Sequence, residues 1–190
     1  MKTYNQTKKI NSDLYTPVSL YLKLRDYYAE PLLLEAGDYH SKNNSKSYLC
    51  LAPLSTFEVS DSEYFIRTEN SARSFSYTNT DEIIKAFKDF RAEIGNSLSS
   101  EEKYPEMFFG FTSYDFSLCR MKIKMKEKKS PVPLMYYSFY SVLISMDHFR
   151  DELTVTTFAL SEQASRKLLD EVLERIQFGM FPELKFSVSN

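Results

Sequence analysis

"PLMYYSFYSVLISMDHFRDELTVTTFAL", residues 133–160, is the stretch on which the fold turns. Two apolar runs, rich in aromatic and β-branched residues, flank a polar connection from Asp147 to Asp151. That is the pattern of two antiparallel strands joined by a turn. The spacing predicts a central hairpin.

The segments outward from it repeat the theme. Residues 31–36, 47–52, 55–60, 63–68 and 71–77 are short, aromatic or aliphatic, and separated by Asn, Ser, Asp or Pro, which predicts an antiparallel meander. "EMFFGFTSY", residues 106–114, adds a further strand. Three helices punctuate the strands. Thr16 with Pro17 supplies a cap and a first-turn proline before "VSLYLKLRDYY". Asn79 and Glu82 make a capping-box pattern before Ile83, Phe87, Phe90 and Ile94, and Gly95 sits where a C-terminal cap belongs. Ser161 opens a last helix whose stripe of Ala164, Leu168, Leu169, Val172, Leu173 and Ile176 closes at Gly179 and Pro182. Helices among antiparallel strands predict an α+β fold, mainly antiparallel β-sheet with helices packed on its outer face.

At 190 residues the chain has the length of one domain, with a single core burying roughly 70% of the unfolded surface. It is 43% hydrophobic and 15% aromatic, with 14 Tyr, 15 Phe and no Trp, so rings supply much of the bulk. A net charge of -2 provides no general field to attract nucleic acid or an anionic bilayer, and neither partner is expected. No run is long enough to span hydrocarbon, no secretory signal opens the chain, and Cys50 and Cys119 stand far apart in sequence. These features together lead to the expectation of a reduced, cytoplasmic setting.

Residue patterns that carry catalysis are scarce. Asp147-His148 has the composition of a hydrolase orienting pair, but neighbours in an extended chain point to opposite faces, and the pair reads as a structural turn. His40, Cys50, Cys119 and His148 lack the short spacing of a zinc site. Lys122, Lys124, Lys126, Lys128 and Lys129, interleaved with Met121, Ile123 and Met125, read as a solvated or edge-protecting face. Four scattered glycines cannot build a phosphate-cradling loop, and no serine sits in a nucleophile elbow. The residues alone therefore nominate no catalytic group. Glu35, at the end of the apolar run 31–36, is a candidate binding carboxylate, able to hold an ammonium or an indole N–H where apolar walls exclude water.

"TPVSLYLKLRD", residues 16–26, followed by "LLLEAGDYHSKNNSKSYLCLAP", residues 32–53, resembles the N-terminal domain of anthranilate synthase component I, a chorismate-using enzyme family. "FFGFTSYD" resembles the family's stretch at Gly110, Tyr114 and Asp115, and "MDHFRDELTV" resembles its Asp-His hairpin, so the likeness covers about residues 14–177. It implies that residues 1–178 are a regulatory and scaffold domain. Residues 179–190, with "FSVSN", would be the start of a linker to a C-terminal chorismate-binding catalytic domain that uses magnesium.

The resemblance also implies tryptophan feedback binding at Pro17, Leu34, Glu35, Ala36 and Lys46, and partnership with a glutamine amidotransferase subunit, component II. Pro17 and Leu34 would supply apolar wall, and Lys46 would face a carboxylate or pair with Glu35. Ala36 departs from the family's serine and removes a hydroxyl, while Leu118 stands where the family has arginine. The segment alone is expected to be inactive and to bind tryptophan weakly or not at all. Two alternatives stay open: the equivalent domain of aminodeoxychorismate synthase, distinguished by the product of the longer enzyme, and a free-standing small-ligand-binding module.

Overall fold

The computed structural model describes residues 2–35, 45–98, 108–121 and 132–180. Ala36, His40, the lysine series from Lys122 to Lys129, and residues 181–190 lie outside the described residues. In chain order the elements are β1 (Tyr4–Asn11), α1 (Pro17–Leu24), β2 (Leu32–Glu35), β3 (Lys46–Val59), β4 (Glu63–Thr68), β5 (Ser71–Ser76), α2 (Thr80–Ser97), β6 (Phe108–Thr112), α3 (Tyr114–Arg120), β7 (Met135–Asp147), β8 (Glu152–Ala159) and α4 (Glu162–Phe178). The fold is α+β, with eight strands among the described residues in an antiparallel sheet of order β1-β8-β7-β3-β4-β5, to which β2 adds by pairing with β3 and β6 by pairing with β7. The sequence-predicted hairpin of β7 and β8 is present and occupies the interior of that order.

Two compact units divide the chain: a middle unit of Met1–Thr3 with Pro53–Tyr140, and a terminal unit of Tyr4–Ala52 with Ser141–Asn190. In the terminal unit β1 pairs with β8 from Tyr4↔Ala159 to Asn11↔Glu152, β8 with β7 from Thr157↔Val142 to Glu152↔Asp147, and β2 with β3 from Leu32↔Cys50 to Glu35↔Ser47. Alternation sends Leu49, Leu51, Val142, Ile144, Met146, Leu153 and Val155 to one face of these strands, where they bury with Leu20 and Leu24 of α1 and Leu169, Val172 and Ile176 of α4. Each such aliphatic side chain stabilises the fold by roughly 1.5–3 kcal/mol through burial.

Caps and buried polar pairs fix the helices. Thr16 Oγ1 accepts from Ser19 N at 3.1 Å while Ser19 Oγ accepts from Thr16 N at 2.9 Å, so the capping box satisfies two donors at the start of α1. Thr157 Oγ1 donates to Ser165 O at 2.8 Å and Ser165 Oγ donates to Thr157 O at 3.0 Å, a buried reciprocal pair that ties α4 to β8.

The middle unit is built on rings. Phe57 and Val59 of β3 bury with Ile83 and Phe90 of α2, Phe116 of α3, and Leu134 and Met135. Phe57 lies 5.2 Å from Phe87 and 5.6 Å from Phe90, centroid to centroid, and stacks on Tyr64 at 5.5 Å. Such offset and tilted pairs add about 0.5–1.5 kcal/mol each beyond area burial. Among the described residues, most of the buried apolar side chains fall into two clusters, one mainly aliphatic and one rich in aromatic rings, where the sequence suggested a single core.

Three other expectations are corrected. Residues 47–52 and 55–60 are one strand, β3, because Ala52 adopts φ 55° and donates its N–H to Ala29 O at 3.0 Å, which absorbs the break that Pro53 would otherwise impose. Gly95 does not end α2, which continues to Ser97; Ser97 Oγ donates to Ile94 O at 2.7 Å, and Leu98 N takes Gly95 O. The strand expected over residues 106–114 ends, among the described residues, at Thr112, since Ser113 Oγ accepts from Phe116 N and starts the short helix α3. β1 has no counterpart among the sequence-predicted strands.

Candidate functional site

The site implied by the sequence lies at one end of the β2–β3 pair, in the terminal unit. Leu32 and Leu33 are half-buried, Leu34 is 38% exposed, and Glu35 is exposed at the strand's last position. The register sets Leu33 opposite Leu49, Leu34 opposite Tyr48 and Glu35 opposite Ser47. Because directly paired residues share a face, Glu35 and Ser47 stand at the end of the face that carries Leu33, Leu49 and the helices α1 and α4. Leu34 shares the opposite face with Tyr48, and alternation puts Lys46 there too.

The described candidates therefore split about the plane of the strands. Pro17, half-buried at the first position of α1, belongs to the helix that packs beside β2, on the side of Glu35. Leu34 and Lys46 occupy the other side. Leu34, Glu35 and Lys46 stand at the edge where β2 ends and β3 begins, while Pro17 stands at the start of α1. Lys46 Nζ lies 3.9 Å from Asp147 Oδ2, a long ion pair with Lys46 largely exposed, so its carboxylate partner is Asp147.

Asp147 and His148 join this edge from the β7–β8 turn. Asp147 Oδ1 accepts from Phe149 N and Arg150 N, both at 3.1 Å, the geometry of a side chain that stabilises its own turn. Burial works against the Asp147 carboxylate, but the two N–H donors and nearby Lys46 and Arg150 outweigh it and hold its pKa below the ordinary value. His148 Nε2 meets Ser47 Oγ at 2.7 Å. Reading Asp147-His148 as a turn is thus right, but its grip on Ser47 was not legible, because Ser47 becomes Glu35's neighbour only once the strand register is known.

The other motif residues lie in the middle unit. Gly110 sits in β6 opposite Tyr137, and Tyr114 and Asp115 open α3 with Tyr114 exposed. A Cβ on Gly110 would press into the Tyr136 carbonyl oxygen and come within 2.7 Å of Tyr137 Cα, so this glycine is demanded by close strand packing. A cavity of about 660 Å³ in the terminal unit is lined by Lys8, Ile10, Asp13, Leu14, Tyr15 and Leu173, among others, and by none of the sequence-predicted site residues. Among the described residues, no three of His, Cys, Asp or Glu converge to hold a metal ion. No helix among them is long and apolar enough to cross a membrane.

Fold and site together define an α+β protein with a polar strand-end edge and an antiparallel sheet whose order is interrupted by crossovers. Among solved structures the chain is similar to anthranilate synthase component I from Streptococcus pneumoniae, with a TM-score of 0.55 and 20% identity over 95% of this chain and 40% of that chain. At that identity the likeness is one of fold, and the chain spans about 40% of the length of the protein it matches. No family model and no curated protein matches the sequence.

Proposed function

We propose that this chain is the N-terminal regulatory and scaffold domain of an anthranilate synthase large subunit. The longer enzyme would convert chorismate and glutamine-derived ammonia to anthranilate and pyruvate. The observation that carries the reading is the fold likeness, which takes in nearly the whole of this chain and under half of component I. Such coverage suits one domain of a larger enzyme. Chorismate, magnesium and the amidotransferase subunit belong, in this reading, to the larger assembly; L-tryptophan is the effector, held at Pro17, Leu34, Glu35, Ala36 and Lys46. Cys50 and Cys119, neither in a disulfide, agree with a reducing, cytoplasmic compartment.

The chemistry of the edge supports an amino-acid effector. Glu35 offers an exposed carboxylate to an ammonium, Lys46 an ammonium to a carboxylate, and Leu34 an exposed apolar surface to a side chain. A zwitterion with an apolar body complements that set. Feedback would then operate by differential binding: the amino acid favours one arrangement of this domain against the catalytic one, at a typical coupling of roughly 1–3 kcal/mol. Incubated with chorismate, magnesium and ammonium, the 190-residue chain is expected to release no anthranilate. Sustained release of anthranilate or pyruvate would make the chain itself the enzyme and overturn this reading.

A further inference from the structure

The β7–β8 turn touches the start of β3 at three points. His148 N donates to Ser45 O at 3.1 Å, Ser47 Oγ and His148 Nε2 lie 2.7 Å apart, and Lys46 Nζ stands 3.9 Å from Asp147 Oδ2. Asp147 Oδ1 in turn holds the N–H groups of Phe149 and Arg150, which fixes the backbone on the far side of His148. Ser47 is 3% exposed whereas His148 is exposed, so the imidazole meets the hydroxyl from the solvent side.

Glu35 is the Cα partner of Ser47. Directly opposed residues of an antiparallel pair carry Cβ atoms about 4.5–5.5 Å apart on one face. His148, Ser47 and Glu35 therefore follow one another from the turn, over β3, to the last residue of β2, the first two joined by a side-chain hydrogen bond and the last two by strand register. In the sheet β2 pairs with β3, so the place of Glu35 follows from the place of Ser47.

We infer that His148 is a positioning residue for Glu35. Acting through Ser47, it holds the end of the β2–β3 ladder closed and presents the Glu35 carboxylate at a fixed height above the strand edge. The identity of what that carboxylate receives, an α-ammonium group, rests on the function proposed above; the positioning itself rests on the hydrogen bonds and the register. A histidine that merely stabilised the turn would lower the stability of the whole fold and leave the β2 end no looser than other strands.

Amide hydrogen exchange followed by NMR on the 190-residue chain separates the two roles, with L-tryptophan as the probe in a parallel titration. In His148→Ala, exchange at Glu35 and Ser47 is expected to quicken about fivefold, the effect of losing one net hydrogen bond, while the β1–β8 ladder keeps its rates. His148→Gln, whose amide can donate to or accept from the Ser47 hydroxyl, is expected to restore the wild-type rates, and Ser47→Ala to reproduce the local quickening. Where wild type shows tryptophan-induced shifts at Glu35, His148→Ala is expected to need about five times more ligand for the same shift. Unchanged exchange at Glu35 and Ser47 in His148→Ala, equal quickening across every strand, or no restoration by glutamine would overturn the inference. Tight one-to-one binding of tryptophan by wild type, together with the expected exchange pattern, would instead count against the proposed function and leave the positioning role standing.

Discussion

Asp147 is at once a turn-former and the partner of Lys46, so its charge state bears on the whole strand-end edge. Its folded pKa is held below the ordinary carboxylate value by the N–H groups of Phe149 and Arg150 and by Lys46, against the opposing effect of burial. A lowered folded pKa means that its stabilisation is complete above the unfolded pKa of about 3.9 and is lost as pH falls through the folded value. Thermal melts between pH 6 and 3 are expected to show a decline below about pH 4 to which Asp147→Asn no longer contributes. Equal acid sensitivity in wild type and variant would remove Asp147 from that role. At this scale the sequence is a partial guide. Glu35 at a strand end was legible from the apolar run before it; Ser47 was not, because nothing in "NSKSYLCLAP" singles out one serine until the register pairs it with Glu35.

Among the elements, those with strong local signals formed where their caps stand. Asn79 Oδ1 accepts from Asp81 N and Glu82 N at the start of α2, and Ser161 Oγ accepts from Ala164 N at the start of α4. The elements that sequence reasoning missed are those held by partners distant in the chain. β1, "YNQTKKIN", has little apolar alternation of its own and is a strand because β8 completes its ladder. Gly95 illustrates the opposite error: a glycine near a helix end reads as a cap, yet no glycine among the described residues has positive φ, and Ser97 turns back to the Ile94 carbonyl instead. Gly110 is the glycine that matters to packing. Gly110→Ala is expected to cost about 1–3 kcal/mol, the usual range for overpacking, because the new methyl meets the backbone of Tyr136 and Tyr137. Urea unfolding checks this, and a variant as stable as wild type would mean that β6 can shift away from β7.

For the molecule as a whole, each unit carries one cysteine with a different environment. Cys50, in the terminal unit, is buried, and burial pushes its thiol pKa up and keeps it protonated; Cys119, in α3 of the middle unit, is exposed. A maleimide is expected to modify Cys119 alone in the native protein and both thiols in denaturant, as read by mass spectrometry. Ready labelling of Cys50 without denaturant would contradict the packing of β3. The α+β class and the central hairpin were visible in the sequence because they depend on runs of apolar residues. The division of the interior into an aliphatic and an aromatic cluster was not, since β3 and β7 each supply residues to both units and no linker marks the change.

The proposed function makes the β2–β3 edge one part of an effector pocket whose remainder lies in a catalytic domain. The most direct measurement is an NMR titration of the 190-residue chain with L-tryptophan, compared with Glu35→Gln. Expected are fast-exchange shifts centred on Pro17, Leu34, Glu35 and Lys46, with a dissociation constant in about the millimolar range that one face of a divided pocket provides, and their loss in the variant. Tight one-to-one saturation by the chain alone, or shifts that avoid Glu35 altogether, would contradict it.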